Sequence, residues 1–161
     1  MTVRQIRLLG DPVLRTPADP VTVFDADLRR LVDDLLETTD MDGRAGVAAP
    51  QIGVSLRVFS YSVGGQLGYV VNPTLVHSAG FQDGEEGCLS LPGLWFPTER
   101  GSEASVTGFD ADGKPITVEG EGLMARCLQH ETDHLDGIVY VDRLKGSARK
   151  AALRAIREAA D

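Results

Sequence analysis

The chain has 161 residues, enough for one domain with a hydrophobic core and too few for two ordinary ones. Hydrophobic residues at 42% and charged residues at 25% exclude a disordered or fibrous composition. Sixteen basic against 24 acidic residues, a net charge of −8, argue against a nucleic-acid-binding surface over the whole chain, because phosphates are met by clustered Lys and Arg.

The acidity is uneven. Arg143, Lys145, Arg149, Lys150, Arg154 and Arg157 lie within 143–157 with no acidic residue among them, a basic strip on an acidic body. The longest hydrophobic run is Ile138–Val141, far short of the about 20 residues of a membrane-spanning helix or the about 7–15 of a secretory core. With two cysteines, Cys88 and Cys127, reduced thiols in a cytoplasmic protein are expected in place of a disulfide framework.

In chain order, Asp11-Pro12, Pro17 and Pro20 favour extended and turn structure at the start. Asp25 reads as an N-cap, and Leu28, Leu31, Val32, Leu35 and Leu36 form one apolar stripe on a helix running to about Thr39. From Val54 to Thr74 the β-branched and aromatic residues, broken by Gly64-Gly65, predict a hairpin. A second strand pair is expected at Ala104–Phe109 and Pro115–Glu119 around the Asp112-Gly113 turn. Gly122–Leu135 reads as a helix stopped near Gly137, Ile138–Val141 as a short strand, and 148–160 as a third helix capped by Ser147. Strands and helices are segregated along the chain, which favours an α+β fold over a parallel α/β sheet.

The sharpest chemical signal is His130-Glu131-Thr132-Asp133-His134 in the second of these helices. Histidines four apart project from one face, so both imidazoles can hold one divalent metal. Glu131 lies about 100° round the helix from His130, where a base serving water at that metal belongs. A catalytic site needs a third protein ligand and an open position. Cys127 is seven residues before His134 on the same helix, roughly 10 Å along its axis, which suits a packing role beside the site. Cys88, in Glu86-Gly87-Cys88-Leu89-Ser90, belongs to another segment that is free to approach, and is the expected third ligand. His77 is assigned no role. A further segment, Gly43-Arg44-Ala45-Gly46-Val47-Ala48-Ala49-Pro50-Gln51-Ile52-Gly53, combines small residues with a polar amide donor. Beside the other two it is a candidate oxyanion site.

Together the three segments, 44–51, 86–90 and 130–134, resemble the peptide deformylases, whose pattern is G-x-G-φ-A-A-x-Q, E-G-C-L-S and H-E-x-x-H in that order. Leu91-Pro92-Gly93, the Asp112-Gly113 turn, Gly122-Leu123 and Gln129 extend the likeness over most of residues 10–145. One departure is that Arg44 stands where the pattern has its first glycine.

The resemblance implies one α+β domain over 1–161, with antiparallel or mixed sheets packed around a central metal-binding helix. It implies a metal-dependent hydrolase that removes the N-formyl group from the formyl-methionine of newly made polypeptides and releases formate. In that reading Cys88, His130 and His134 bind the metal, and Glu131 is general acid and base. Gln51 and the backbone N–H of Leu89 stabilise the oxyanion, and Gly46 hydrogen-bonds the substrate. Leu123 and Cys127 are candidate walls of a methionine pocket, with Leu94 and Trp95 at its rim. An ion pair between Arg100 and Glu86 is expected to brace the cysteine loop. The ligand set suits Fe2+, Zn2+, Ni2+ or Co2+, and the resemblance favours Fe2+.

Two rivals remain at the level of sequence. A zinc peptidase would share the helix motif but usually takes its third ligand from a downstream His or Glu, and no histidine follows His134. A module in which metal only holds the fold would need a fourth protein ligand. The basic C-terminal helix is a candidate dock for the ribosome, with a solvated helix face as its alternative; Asp133 is either a hydrogen-bond partner near the site or solvated.

Overall fold

The computed structural model describes residues 2–160. Helix α1 spans Ala26–Thr39, starting where the Asp25 carboxylate accepts the Leu28 N–H at 3.1 Å, an N-cap that stabilises by about 1 kcal/mol. Its stripe of Leu28, Leu31, Val32 and Leu35 is buried against Val47, Ile52, Val58 and Val71, each such side chain contributing roughly 1.5–3 kcal/mol.

Seven strands follow: β1 Gly46–Ala48, β2 Val58–Val63, β3 Gln66–Ala79, β4 Glu85–Cys88, β5 Leu91–Pro97, β6 Glu103–Phe109 and β7 Pro115–Glu121. Strands β1, β2, β3, β6 and β7 form one sheet in the order β1-β2-β3-β6-β7, antiparallel throughout. Strands β4 and β5 form a separate two-stranded ribbon. Strand β3 changes partners midway: up to Val71 it pairs with β2, and from Val71 onward with β6 across register shifts. At the change Asn72 takes a positive φ of 51°, which Asn tolerates better than most residues. Its side chain accepts the Val21 N–H at 2.8 Å and donates to the Val21 carbonyl at 2.9 Å, tying the N-terminal segment to the sheet.

Helix α2, Gly122–Leu135, lies across the sheet, packing Met124, Ala125, Leu128 and Leu135 onto Phe59, Val70, Ala104 and Val106. Residues 124–135 are all buried, including Arg126, Gln129, His130, Glu131, Asp133 and His134. Such side chains are rarely buried without partners, so the ribbon and the loops around α2 must supply them. Gln129 shows how: its amide donates to the Gly101 carbonyl and accepts the Gly101 N–H, both at 3.0 Å, joining α2 to the segment before β6.

Two expectations need correction. Ile138–Val141 is no strand: Ile138 lies in no regular element, Val139 is extended, and Tyr140–Arg143 form a 3-10 turn. These apolar residues find a core instead of a ladder, with Val139, Tyr140 and Val141 buried beside Leu91, Leu144 and Ala152, while Asp142 accepts the Val139 N–H at 3.0 Å. Helix α3 spans Gly146–Ala160, so Ser147 lies inside it instead of capping it. Among the described residues no helix is long and apolar enough to cross a membrane.

Candidate metal centre

The β4–β5 ribbon carries Cys88 to the C-terminal half of α2. There Cys88 Sγ lies 3.3 Å from His134 Nε2, which lies 3.2 Å from His130 Nε2, and all three donor atoms fall within 4.8 Å of one another. Tetrahedral bonds of about 2.1 Å to nitrogen and about 2.3 Å to sulfur separate two nitrogens by about 3.4 Å and nitrogen from sulfur by about 3.6 Å. The observed spacings are close to both, so the residues fit a single divalent ion. Burial, together with the neighbouring His130, holds His134 well below the usual imidazole range. For His130, burial is outweighed by Glu131 and by the hydrogen bonds with Cys88 and Glu86, which hold it above that range, so His130 gives up a proton on ligation.

His130 is oriented from behind. Its Nδ1 lies 2.7 Å from Glu86 Oε2, which assigns the proton to Nδ1 and leaves Nε2 free to ligate. Glu86 is itself held by Arg100 Nε at 3.0 Å, Arg100 Nη2 at 2.6 Å and Arg126 Nη1 at 2.8 Å. Burial alone would raise its carboxyl, but the hydrogen bonds from His130 and Arg100 outweigh this and hold it below the usual range. The Arg100–Glu86 pair that the resemblance implies is therefore present, and it is larger than a pair. Asp133 accepts from Arg100 Nη1 at 2.7 Å and from Arg143 at 2.7 and 3.1 Å.

Glu131 is 3% exposed, and its Oε1 has no partner among the described residues. Burial is the main cause that pushes its carboxyl up to about 7; His130 opposes the shift and Glu86 adds to it. Strand β1 runs directly over this carboxylate. A Cβ at Gly46 would stand 2.6 Å from Glu131 Oε2 and 2.9 Å from Cys127 Sγ, so only glycine lets the strand approach. Cys127 donates to the Ala45 carbonyl at 3.3 Å and stands outside the donor triad, as its helix position requires.

Gln51 sits in the 3-10 turn Ala49–Ile52 after β1. Its Oε1 accepts the Ala48 N–H at 2.9 Å, and its Nε2 donates to Ser90 Oγ at 3.1 Å and toward Cys88 Sγ at 3.6 Å. Leu89 lies between β4 and β5. A cavity of about 620 Å³ opens over these groups, bounded by Gly46, Gln51, Cys88, Leu89, Glu131 and His130, with Cys127, Leu123, Leu94 and Trp95 around them. Trp95 and Leu123 are 61% and 57% exposed and stand at its mouth. Arg44 also lines it, anchored by a 2.7 Å bond to the Thr38 carbonyl at the end of α1, so the departure from the motif leaves β1 in register. His77 is remote from the centre, exposed on β3 at 3.6 Å from Glu103.

Sequence reasoning missed Arg126, Ser90, Arg143 and Tyr140, whose ring stacks on His130 at a centroid distance of 6.2 Å. An arginine inside the buried run of α2 is a signal that could have revealed the first. The others arrive from segments whose approach no local pattern encodes.

The family model described as Polypeptide deformylase matches residues 3–150. Over 159 residues the chain is 60% identical to the peptide deformylase of Acidothermus cellulolyticus, spanning 99% of this chain and 88% of that protein. It is 57% identical over 161 residues to the peptide deformylase of Parafrankia sp., with the same shares covered. Among solved structures, the peptide deformylase of Thermus thermophilus aligns with a TM-score of 0.90 at 44% identity, covering 97% of this chain and 94% of that one. That of Synechococcus elongatus in complex with actinonin aligns at 0.87 and 35% identity, covering 96% and 86%. With α+β architecture, motif order and matches over nearly its whole length in agreement, the chain belongs to the polypeptide deformylase family.

Proposed function

We propose that this chain is a cytoplasmic hydrolase that removes the N-formyl group from the formyl-methionine of newly made polypeptides, with Cys88, His130 and His134 holding one Fe2+ ion. The observation that carries the reading is the meeting of three donor atoms within 4.8 Å beside a buried carboxylate oxygen that has no partner among the described residues. When bound, a divalent ion supplies Lewis acidity and lowers the pKa of water toward about 7.

The remaining work falls to the chain. Glu131, pushed up to about 7, is matched to neutral conditions for taking a proton from water and returning it to the departing amine. Gln51 is fixed through its Oε1 and by donation to Ser90 Oγ, so the second N–H of its amide, directed toward Cys88 Sγ at 3.6 Å, is the one placed to serve an oxyanion, with the Leu89 N–H as a second donor. Each such donor typically lowers the barrier by roughly 3–4 kcal/mol. The main chain at Gly46 binds the substrate backbone. Cys127 and Leu123 wall the methionine side chain, while Leu94 and Trp95 limit the entry of water.

The exposed Arg149, Lys150, Arg154 and Arg157 of α3, whose Ala152 and Ile156 pack inward, support docking on ribosomal RNA as the nascent chain emerges. Charge reversal of Lys150 and Arg154 is expected to abolish salt-dependent co-sedimentation with ribosomes. The central assay is formate release from formyl-Met-Ala-Ser with metal analysis of the same sample. Turnover with one equivalent of metal supports the proposal; a fully loaded chain that releases no formate overturns it.

A further inference from the structure

His130 and Asp133 lie three residues apart on α2, and between their side chains Glu86 and Arg100 close a ring. His130 Nδ1 bonds Glu86 Oε2 at 2.7 Å, Arg100 forks onto both Glu86 oxygens, and Arg100 Nη1 bonds Asp133 Oδ2 at 2.7 Å. The side chains of Glu86, Arg100 and Asp133 are 3%, 4% and 10% exposed. Two further groups reach this ring. Arg126, buried on α2, donates to Glu86 Oε1 at 2.8 Å. From the solvent side Arg143, in the turn after α2, is 49% exposed and grips Asp133 with Nη2 on Oδ1 at 2.7 Å and Nε on Oδ2 at 3.1 Å.

A two-point grip fixes the plane of a carboxylate, which a single charged contact does not. Asp133 Oδ2 is shared between Arg143 and Arg100, so the plane set by Arg143 determines the direction of the Arg100 guanidinium. That guanidinium in turn sets the oxygen that faces His130. We propose that Arg143 is a positioning residue for the metal centre, acting through Asp133, Arg100 and Glu86 on the orientation of the His130 ring. The inference rests on the reading that Cys88, His130 and His134 hold the ion, and it gives Asp133 a definite role. Arg143 thus has a different task from Arg149 of the same basic strip, six residues on, whose side chain bonds the Asp142 carbonyl at 3.1 Å.

The test uses the full chain loaded with Co2+, whose visible absorption reports ligand geometry, and measures the spectrum and the rate of cobalt release to excess chelator. Arg143→Met is expected to speed release roughly tenfold, the lower end of what loss of an outer partner costs a metal site, and to shift the absorption bands. Arg143→Lys recovers part of both, Arg149→Met changes neither, and in an Asp133→Asn background Arg143→Met adds nothing. The proposal is overturned if Arg143→Met keeps the wild-type spectrum and release rate, if Arg149→Met matches it, or if its effect persists without Asp133. Should Arg143→Met not fold, Arg143→Lys decides alone: an intermediate rate supports the proposal and the wild-type rate overturns it. Failure of the wild-type chain to bind cobalt at all would overturn the metal assignment instead.

Discussion

Replacing Gly46 with alanine puts the tightest packing of the site under test. The added Cβ would meet Glu131 Oε2 at 2.6 Å, Cys127 Sγ at 2.9 Å and Glu131 Cδ at 3.0 Å, where ordinary contact begins at 3.4 Å. The carboxylate must therefore retreat by about 0.8 Å, or β1 must lift away from α2. Overpacking of this kind costs about 1–3 kcal/mol, and a shift near 1 Å in a reacting group can cost on the order of 10²-fold in rate. Gly46→Ala is expected to keep its metal, because Cys88, His130 and His134 are untouched, while kcat/KM for formate release falls about 100-fold and the urea midpoint drops. Adding Cys127→Ala removes the sulfur clash but not the carboxylate clash, so it restores part of the stability and little of the activity. A Gly46→Ala enzyme within twofold of wild type in kcat/KM, with an unchanged urea midpoint, would refute the reasoning.

Further perturbations separate the layers of the structure. Glu86→Gln leaves Arg100 and Arg126 buried without their shared anion and should destabilise by about 3–5 kcal/mol in urea unfolding. Because the Glu86 carboxyl is held down in the folded state, its contribution is complete above the ordinary value of 4.5 and is lost as pH falls below it toward the depressed folded value. The wild type should lose stability steeply in that acid range and Glu86→Gln less so; parallel curves would contradict this. Asn72→Ala removes both bonds to Val21 and puts alanine at a φ of 51°, costing about 2–4 kcal/mol with kcat unchanged. In the iron-loaded enzyme, peroxide should abolish activity with an oxygen-addition mass shift confined to Cys88, whereas inactivation without modification of Cys88 would argue against its thiolate as a ligand.

Where local physics decides structure, the sequence was informative. The stripe from Leu28 to Leu36 and the Asp25 cap place α1 within a residue, and the Asp112-Gly113 and Gly64-Gly65 turns bound the hairpins. The spacing of His130 and His134 selects one helix face. What remained illegible depends on encounters between distant segments. Gly46–Ala48 reads as a small-residue loop, yet antiparallel pairing with Phe59–Tyr61 of β2 makes it a strand. Glu85–Cys88 reads as strand or loop until Leu91–Pro97 pairs with it. Ile138–Val141 has strand composition but lies in no sheet, and Val139, Tyr140 and Val141 are buried beside Leu91, Leu144 and Ala152 instead. Asp133 was ambiguous on spacing alone because both its partners, Arg100 and Arg143, come from other elements. The pocket proposed for the methionine side chain was only half legible: Cys127 is buried, while Leu123, on the same helix, is largely exposed at the cavity mouth.

For the proposed reaction to run, Glu131 must move a proton beside an intact metal triad. The most direct test compares formate release from formyl-Met-Ala-Ser by wild type and Glu131→Gln at equal, measured metal content. Full metal occupancy is expected in both, with a loss of about 10²–10⁴-fold in kcat for the variant. Wild-type turnover by Glu131→Gln would contradict this.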